Sequence, residues 1–261
     1  MGKKFTLLIS IFLSFFTMLG AEVGNNNKIE FNSTNGILQE KLEFKVKSKE
    51  NMQGLAYNNG FYYIGFDMKN NKGKIQVYDK KGNFKRESKL LDIGHVADLS
   101  FNSNKNVIYA VNGGGKNKTK VYEIDIEKDM KIIKTIDFSK LGNSGLMTFD
   151  NKENILILHT SNNDKSKHKF SKCNLDGEIL ETFEIDNIGV PQGIEYLNGD
   201  IYFYTNDKIT VINFKEKKII DTYNLNISGE SEGVTFVKDE NKIAYGYNKQ
   251  NRIYSTEVKY K

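Results

Sequence analysis

Carboxylate, amide and imidazole side chains recur at two fixed places in this sequence, each beside a short run of apolar residues. Oxygen-rich side chains of this kind hydrogen-bond hydroxyl groups, and they are also the ligands that calcium prefers. If the fold brings them together, they form a polar binding site or a metal site. The set before or within a run is Gln53, His95, Asp98, Ser144, Gln192, Glu195, Glu230 and Glu232, and the set after the next run is Asp67, Asn112, His159, Asn206 and Asn248.

The recurrence also has a purely structural explanation. Asp and Asn often end strands because their side chains hydrogen-bond the backbone of the following turn, and a repeated turn repeats the residue. We favour this explanation for Asn206 and Asn248. A binding role and a structural role stand on equal terms for four residues: Gln53, His95, Gln192 and Glu232.

Acid–base chemistry is a further reading of the same residues. His95 lies three residues before Asp98, and such a pair can act as a general base with its orienting carboxylate. A hydrogen-bonded structural histidine is the alternative. His159 ends an apolar run and is expected to reach the same site, whereas His168 lies in a lysine-rich loop and is expected to be solvated. The catalytic candidates are therefore His95, Asp98 and Glu232, and the metal candidates are Glu232 and Asp98.

Other chemistries lack their signatures. The three histidines have no recognised zinc spacing, and we find no nucleophile elbow, no CxxC and no HExxH motif. The glycine run at 113–115 lacks the spacing of a phosphate-binding loop. The only cysteine, Cys173, excludes an internal disulfide and is expected to be a small buried group in a strand.

The elements that must position the polar residues are four-residue runs that end in an aromatic residue. From Tyr57 the aromatic recurs after 44, 48, 47 and 40 residues, a period that matches a four-stranded propeller blade of ~40 to 50 residues. Three further strand-like runs follow in each of the first four repeats, separated by turn dipeptides. The sequence predicts an all-β, five-bladed β-propeller of four-stranded antiparallel blades. The opening runs are 54–57, 98–101, 146–149, 193–196 and 233–236.

The fifth repeat lacks a fourth strand, while a strand-like run at Leu42–Val46 precedes the first repeat. We expect this run to pair with Arg252–Val258 and so close the ring, because closure removes open sheet edges. In such a ring the loops before first strands share one face with the loops that join second to third strands. Both sets of polar residues are therefore expected at one mouth of the central channel.

The ends and the overall charge limit the function classes. Lys3 and Lys4 precede an apolar run and a small-residue site, so residues 1–21 are predicted to be a secretory signal peptide. A retained membrane anchor is the alternative, although the run is shorter than the ~20 residues of a span. Residues 22–37 are predicted to be a polar, mobile leader, and residues 38–261 a single domain. Without the two lysines, 36 basic residues of the 38 face 33 acidic ones, a net charge of +3 with no basic stripe, which disfavours nucleic-acid binding.

The repeat resembles that of extracellular bacterial β-propellers, whose blades open with a glycine, a hydrophobic residue, any residue and an aromatic. Met52-Gln53-Gly54 with Gly94-His95 resembles, more narrowly, the helveticin J type of secreted propeller, a bacteriocin-like family. The segment Gln53-Gly54-Leu55 is similar to one in five-bladed glutaminyl cyclases, whose tryptophan-containing signatures are absent from this Trp-free chain. Glu232 and Gln192 are loosely similar to the calcium ligands of lactonase-type propellers, which have six blades.

These observations lead to an exported protein, periplasmic or extracellular, that acts as a monomer without a membrane span after signal cleavage. We expect a binding module that recognises a carbohydrate, cell-envelope or protein ligand at the channel mouth. The expected ligand-binding residues are Gln53, Asp67, His95, Asn112, His159, Gln192, Glu195 and Glu232. The alternatives are a calcium-assisted hydrolase or lyase that uses the same polar ring, and a scaffold whose faces bind partner proteins.

Overall fold

The computed structural model describes residues 28–260 except 128, 144, 164 and 228. The predicted signal peptide and Ser144 therefore lie outside the described residues. Within them the regular secondary structure is β-strand except for short 3-10 turns at Ser139–Leu141 and Lys238–Glu240. None of the helical segments in this described part has the length and apolar character needed to span a membrane.

Four short strands precede the repeats. They are β1 Ile29–Phe31, β2 Ser33–Thr34, β3 Ile37–Leu38 and β4 Lys41–Lys45.

The repeats form five antiparallel sheets, as predicted. Each sheet is one blade, and its strands follow one another in sequence order because each turn joins neighbouring strands. Blade 1 has β5 Asn51–Asn58, β6 Phe61–Met68, β7 Lys72–Asp79 and β8 Phe84–Glu87. Blade 2 has β9 Asp98–Asn102, β10 Val107–Val111, β11 Lys120–Asp125 and β12 Lys131–Asp137. Blade 3 has β13 Leu146–Asp150, β14 Ile155–Thr160, β15 His168–Cys173 and β16 Ile179–Ile185.

The last two blades complete the ring. Blade 4 has β17 Pro191–Leu197, β18 Asp200–Thr205, β19 Lys208–Asn213 and β20 Lys218–Asn224. Blade 5 has β21 Ser231–Val237, β22 Lys242–Tyr247 and β23 Arg252–Tyr260, with β4 as its outer strand.

The first strand of every blade lines the centre, and each one contacts the first strand of the next blade around the whole ring. We call the side that carries the loops before these inner strands the upper face. The turns from first to second strands lie on the opposite, lower face. This arrangement is the five-bladed β-propeller that the repeat predicts.

The predicted closure is confirmed. Strand β4 pairs antiparallel with β23, with Phe44 opposite Ile253. Phe44 is 7% exposed, and its ring lies 5.3 Å from that of Tyr62 in blade 1. The N-terminal strand therefore completes blade 5 and also packs against the next blade, which ties the two ends of the ring together.

Residues 29–37 of the predicted mobile leader are instead held in place by strand pairing. Strand β1 continues the outer edge of blade 5, where Ile29 pairs with Tyr260, and β3 pairs with the outer strand of blade 4. Ile29 and Phe31 point inward and are buried, while Glu30 between them is exposed. This alternation is the period-two pattern of a half-buried strand, which the surrounding Asn-rich sequence obscured.

The hydrophobic core lies between the blades, because most strands bury both faces. Residues of adjacent blades share each cluster: Tyr63 and Ile75 of blade 1, for example, pack with Leu99 and Phe101 of blade 2. Cys173 is fully buried in β15, and burial raises the pKa of its thiol to about 12. It behaves as the small buried group that its place in a strand predicts.

Candidate functional site

Three β-bulges shape the upper mouth of the ring. The inner strands of blades 1, 4 and 5 each lose register at their first residues, where the sequence reads Gln53-Gly54, Gln192-Gly193 and Glu232-Gly233. A bulge places an extra residue in one strand and re-aims its side chain. In blades 4, 5 and 1, which are neighbours, the repeated bulge therefore carries a glutamine, a glutamate and a glutamine.

Glycine is required at two of these bulges. Gly233 has φ +67°, and a Cβ there would lie 2.7 Å from the backbone nitrogen of Leu55. A Cβ at Gly193 would lie 2.9 Å from the nitrogen of Val234. Real side chains do not tolerate such distances, so only glycine lets the inner strands approach this closely.

Glu232 is the central acid of the upper mouth. Its side chain is 4% exposed, and Gln53 donates a hydrogen bond from Nε2 to Oε1 at 3.2 Å. Burial, followed by the nearby charge of Glu230, raises the pKa of Glu232 to about 9, and hydrogen bonds from Gln53 and Asn248 offset only part of that rise. At neutral pH the carboxyl group is therefore protonated and can donate a hydrogen bond as well as accept one.

Amide side chains surround this acid. The Gln192 amide lies 3.1 Å from that of Asn206 and, in the orientation its surroundings favour, 3.3 Å from the carbonyl oxygen of Ser231. Asn248 donates a hydrogen bond to the side chain of Asn51. The structural explanation preferred for Asn206 and Asn248 is therefore incomplete, because both side chains belong to the polar network of the mouth rather than to their own turns alone.

His95 pairs with Asp67 instead of Asp98. Its Nδ1 lies 3.0 Å from Asp67 Oδ2, and both side chains are about one-third exposed on the upper face. The next residue, Val96, is buried with φ +55°, a conformation that a β-branched residue adopts only when its surroundings enforce it. A Cβ at Gly73 would lie 2.0 Å from Val96 Cγ2, which shows how tightly this loop is held.

Asp98 does not line the mouth but lies on the axis of the ring. It is fully buried, and its Oδ2 accepts a hydrogen bond of 3.1 Å from the backbone nitrogen of Ile194, two blades away. Burial raises the pKa of this carboxyl group well above its ordinary value, and the charge of Glu195 adds to the rise. The proposed His95–Asp98 catalytic pair is therefore wrong: a three-residue spacing along an extended loop and strand start turned the two side chains in different directions.

Glu195 occupies the next layer down the axis. The other blades place Ala56, Ser100, Thr148 and Thr235 in the same column, so Glu195 is the single acid among small and hydroxyl-bearing residues. Protein surrounds it on all sides, yet its side chain keeps partial exposure to the cavity below. Burial raises the pKa of Glu195 to about 7, and the charge of Lys238 lowers it in part.

Two histidines that sequence reasoning placed at the surface are buried together. His159 and His168 are both fully buried, with His159 Nε2 3.0 Å from His168 Nδ1. His168 Nε2 accepts a hydrogen bond from the Ile188 nitrogen, so its Nδ1 carries the proton shared with His159. The predictions that His159 reaches the mouth and that His168 is solvated are wrong, because His168 opens strand β15 and faces the aromatic core.

Asn112 has a local structural role. Its Nδ2 donates to the carbonyl oxygen of Lys118 at 2.9 Å, and its Oδ1 accepts from the nitrogen of Lys120 at 2.8 Å. Both ends of the amide are used to hold the loop between β10 and β11. The prediction that Asn112 binds ligand is therefore not supported by its contacts, and the turn explanation applies to it.

The structure does not bring the two metal candidates together. Asp98 and Glu232 lie in different layers, and residues 28–260, apart from the four gaps, contain no group of three or more His, Cys, Asp or Glu side chains placed to hold a metal ion. The donors of the upper mouth are one buried acid and several amides. This set suits hydrogen bonding to a polar ligand better than the charge-rich coordination that calcium needs.

A cavity on the lower face was not predicted. It measures about 1130 Å³ and lies within the ring, below Glu195. Its walls come from the ends of all five inner strands and the turns that follow them, which we call the lower funnel. The signal that could have revealed it is the aromatic that ends every opening run, since five such positions must converge in a closed ring. The five are Tyr57, Phe101, Phe149, Tyr196 and Phe236.

Comparison with known proteins supports the architecture. No family model and no curated protein matches the chain. Among solved structures, a Myxococcus xanthus glutaminyl cyclase has a TM-score of 0.65 and 11% identity, over 86% of this chain and 96% of that one. A nidogen/laminin complex has a TM-score of 0.52 and 15% identity, over 80% and 85%. Hydrazine synthase of Kuenenia stuttgartiensis has a TM-score of 0.52 and 13% identity, over 75% and 61%.

The fold and the arrangement of its inner strands define the class: a five-bladed β-propeller whose upper mouth carries a buried acid among amides. At the identities found, the solved structures share the fold alone.

Proposed function

We propose that the protein is an exported propeller that binds a polar ligand at its upper mouth. The observation that carries the proposal is the convergence of Gln53, Gln192 and Glu232 on three successive bulges, with Glu232 held protonated by burial. Amides and a neutral carboxyl group both donate and accept hydrogen bonds, so they match a hydroxyl- or amide-bearing ligand rather than a strongly charged one. A carbohydrate, a cell-envelope polymer or a protein loop has this chemistry.

The same proposal includes the setting expected from the sequence. Cleavage after residue 21 would release a monomer outside the cytoplasm, in the manner of the extracellular bacterial propellers and the helveticin J type that the repeat resembles. The small net charge argues against a nucleic-acid partner. The His95–Asp67 pair, on the same face, is available at the edge of the site as a partly exposed polar contact.

The test is ligand binding by the mature protein on arrays of glycans, cell-wall fragments and extracellular proteins. The proposal predicts binding that Glu232→Ala and Gln53→Ala weaken and that Lys217→Ala, a change in the exposed turn after β19, leaves unchanged. If arrays stay blank, or if a ligand binds all three variants like the wild type, the upper mouth is not the site.

A second candidate is a reaction at the same mouth. The similarity to a glutaminyl cyclase covers most of both chains, and Gln53-Gly54-Leu55 is the segment that resembles that family. A carboxyl group with a pKa of about 9 can exchange a proton with a substrate near neutral pH. Cyclisation of an N-terminal glutamine releases ammonia, so a peptide beginning with glutamine is the probe. Ammonia release that Glu232→Gln abolishes would favour this candidate, and no release by the wild type would reject it.

The calcium-assisted hydrolase or lyase has a direct test of its own. If calcium binds at Glu232, added calcium should raise the melting temperature of the wild type and leave that of Glu232→Gln unchanged. An equal response of the two proteins would reject Glu232 as a calcium ligand.

A further inference from the structure

The lower funnel has the form of a second binding site, separate from the upper mouth. Its volume of about 1130 Å³ lies slightly above the range of ~300 to 1,000 Å³ that is typical of small-molecule pockets. Its inner end is closed: Asp98 occupies the axis, and a Cβ at Gly54 would lie 2.7 Å from the Asp98 Cα. A ligand in the funnel would therefore not reach the cluster around Glu232.

The floor of the funnel offers hydroxyl groups and one acid. Glu195 lies beside Thr235 and Thr148, whose hydroxyl groups act on its pKa. Thr235 lines the cavity together with Glu195, whereas Thr148 is buried behind them. The partly open carboxyl group and the Thr235 hydroxyl therefore offer hydrogen-bonding groups to a ligand in the cavity.

Charge in the funnel is nearly balanced. Asp239 on the rim is paired with Lys80 at 2.7 Å and bonded by the Tyr57 hydroxyl at 2.9 Å. Glu153 is paired with Lys172 at 3.5 Å.

The remaining lining charges are two of each sign. Lys152 and Lys238 make no ion pair within the described part of the chain, and they line the cavity together with Asp150 and Glu195. A cavity of this kind does not select a strongly charged ligand, because neither sign gains a net attraction.

The walls combine aromatic side chains with amides. Each blade contributes the aromatic residue at the end of its inner strand, and four of these rings are buried, so only a small part of each meets the cavity. Asn58, Asn59 and Asn198 stand among them on the turns. Small apolar areas among uncharged hydrogen-bonding groups match a molecule that presents both C–H groups and hydroxyl groups.

We propose that the lower funnel is a binding site for a neutral oligosaccharide, with Glu195 and Thr235 hydrogen-bonding its innermost sugar. The size of the cavity favours a chain of sugars over a single one. This site is independent of the function proposed for the upper mouth, because the two open on opposite faces and share no lining residue.

The experiment uses the mature protein and five trisaccharide probes. Three are neutral (maltotriose, cellotriose and chitotriose), one is acidic (trigalacturonic acid) and one is cationic (the glucosamine trimer). Calorimetry should detect a neutral trisaccharide at the ~1 mM level or tighter. Glu195→Gln, which keeps the size of the side chain, should weaken that binding roughly tenfold, since one buried hydrogen-bonding acid is replaced.

Two matched variants separate this site from its alternatives. Glu232→Gln changes a buried glutamate on the upper face and should leave the affinity for the trisaccharide unchanged. Lys217→Ala removes a charge from the exposed turn after β19, outside the lining of the funnel, and should also leave that affinity unchanged. If Glu195→Gln does not fold, chemical-shift changes in the wild type at Ser100 and Thr235, but not at Gln53, identify the same site.

The contrary results are equally definite. Absence of binding by all three neutral probes would overturn the proposal. Binding only of the acidic probe, with loss in Lys238→Glu, would identify an anion site instead. Loss of binding in Glu232→Gln with retention in Glu195→Gln would move the saccharide to the upper mouth.

Discussion

Glu232 makes the stability of the fold depend on pH in a direction opposite to that of most surface acids. The group is 4% exposed, and burial raises its pKa from 4.5 to about 9. The unfolded chain ionises Glu232 above pH 4.5, whereas the folded chain keeps its proton until pH 9. Folding therefore binds a proton throughout this interval, and the free energy of unfolding falls as pH rises through it.

The size of the effect follows from the two pKa values. At 1.36 kcal/mol for each pH unit, the contribution of Glu232 to the free energy of unfolding falls by about 4 kcal/mol between about pH 5 and about pH 8. Replacing Glu232 by Gln keeps an acceptor for Gln53 and removes the titration. We expect Glu232→Gln to be more stable than the wild type at pH 8, and to differ much less from it at pH 5.

Urea unfolding of both proteins at these two pH values measures the difference. Glu230→Gln is the matched control, because Glu230 is exposed on the same loop and acts on Glu232 only through its charge. That control should lower the pH dependence slightly and not remove it. If Glu232→Gln loses as much stability between pH 5 and pH 8 as the wild type does, Glu232 ionises normally. The mouth would then not be organised around a protonated acid.

Three further predictions test the fold around the site. Imidazole signals of His159 and His168 should not titrate between pH 8 and pH 5, since burial lowers both pKa values, that of His168 to about 4; a midpoint near pH 6.5 in an NMR titration would contradict the buried pair. Phe44→Ala should cost roughly 3 to 5 kcal/mol in chemical denaturation, whereas Leu42→Ala on the exposed side of the same strand should cost under about 1. Equal losses would contradict closure through Phe44. Gly73→Ala should lower the free energy of unfolding by roughly 1 to 3 kcal/mol, because the added Cβ meets Val96. A variant as stable as the wild type would show that this loop accommodates the added Cβ without cost.

Repetition made the architecture predictable. A single aromatic column, Tyr57 to Phe236, gave the blade period, and one surplus strand matched one missing strand, so the closure through β4 was deducible. Strand β1 was missed because only Ile29 and Phe31 carry its alternation. Two apolar residues are too few for a periodic signal when polar Asn residues surround them.

The site was predictable only in part, because sequence position fixes a residue's height in a strand and not the direction of its side chain. Gln53, Gln192 and Glu232 precede a glycine in equivalent places, and they lie together on successive bulges. Asp98 begins an inner strand without such a bulge, and its carboxylate reaches across the ring to accept a hydrogen bond from the Ile194 nitrogen. Burial of the His159–His168 pair depends on contacts between blades, which no local pattern contains.

The closure of blade 5 also bears on how the chain can fold. The Ser255 hydroxyl donates a hydrogen bond to the Glu43 carboxylate across 212 residues of sequence. The outer strand of this blade, β4, is therefore synthesised long before the other strands of the blade. Until the segment around Ser255 has been synthesised, β4 has no strand to join and the ring has two open edges. Contacts of such long sequence separation slow folding. The last step is thus expected to be the meeting of two distant segments, and a chain threaded through a membrane would complete its ring only after translocation.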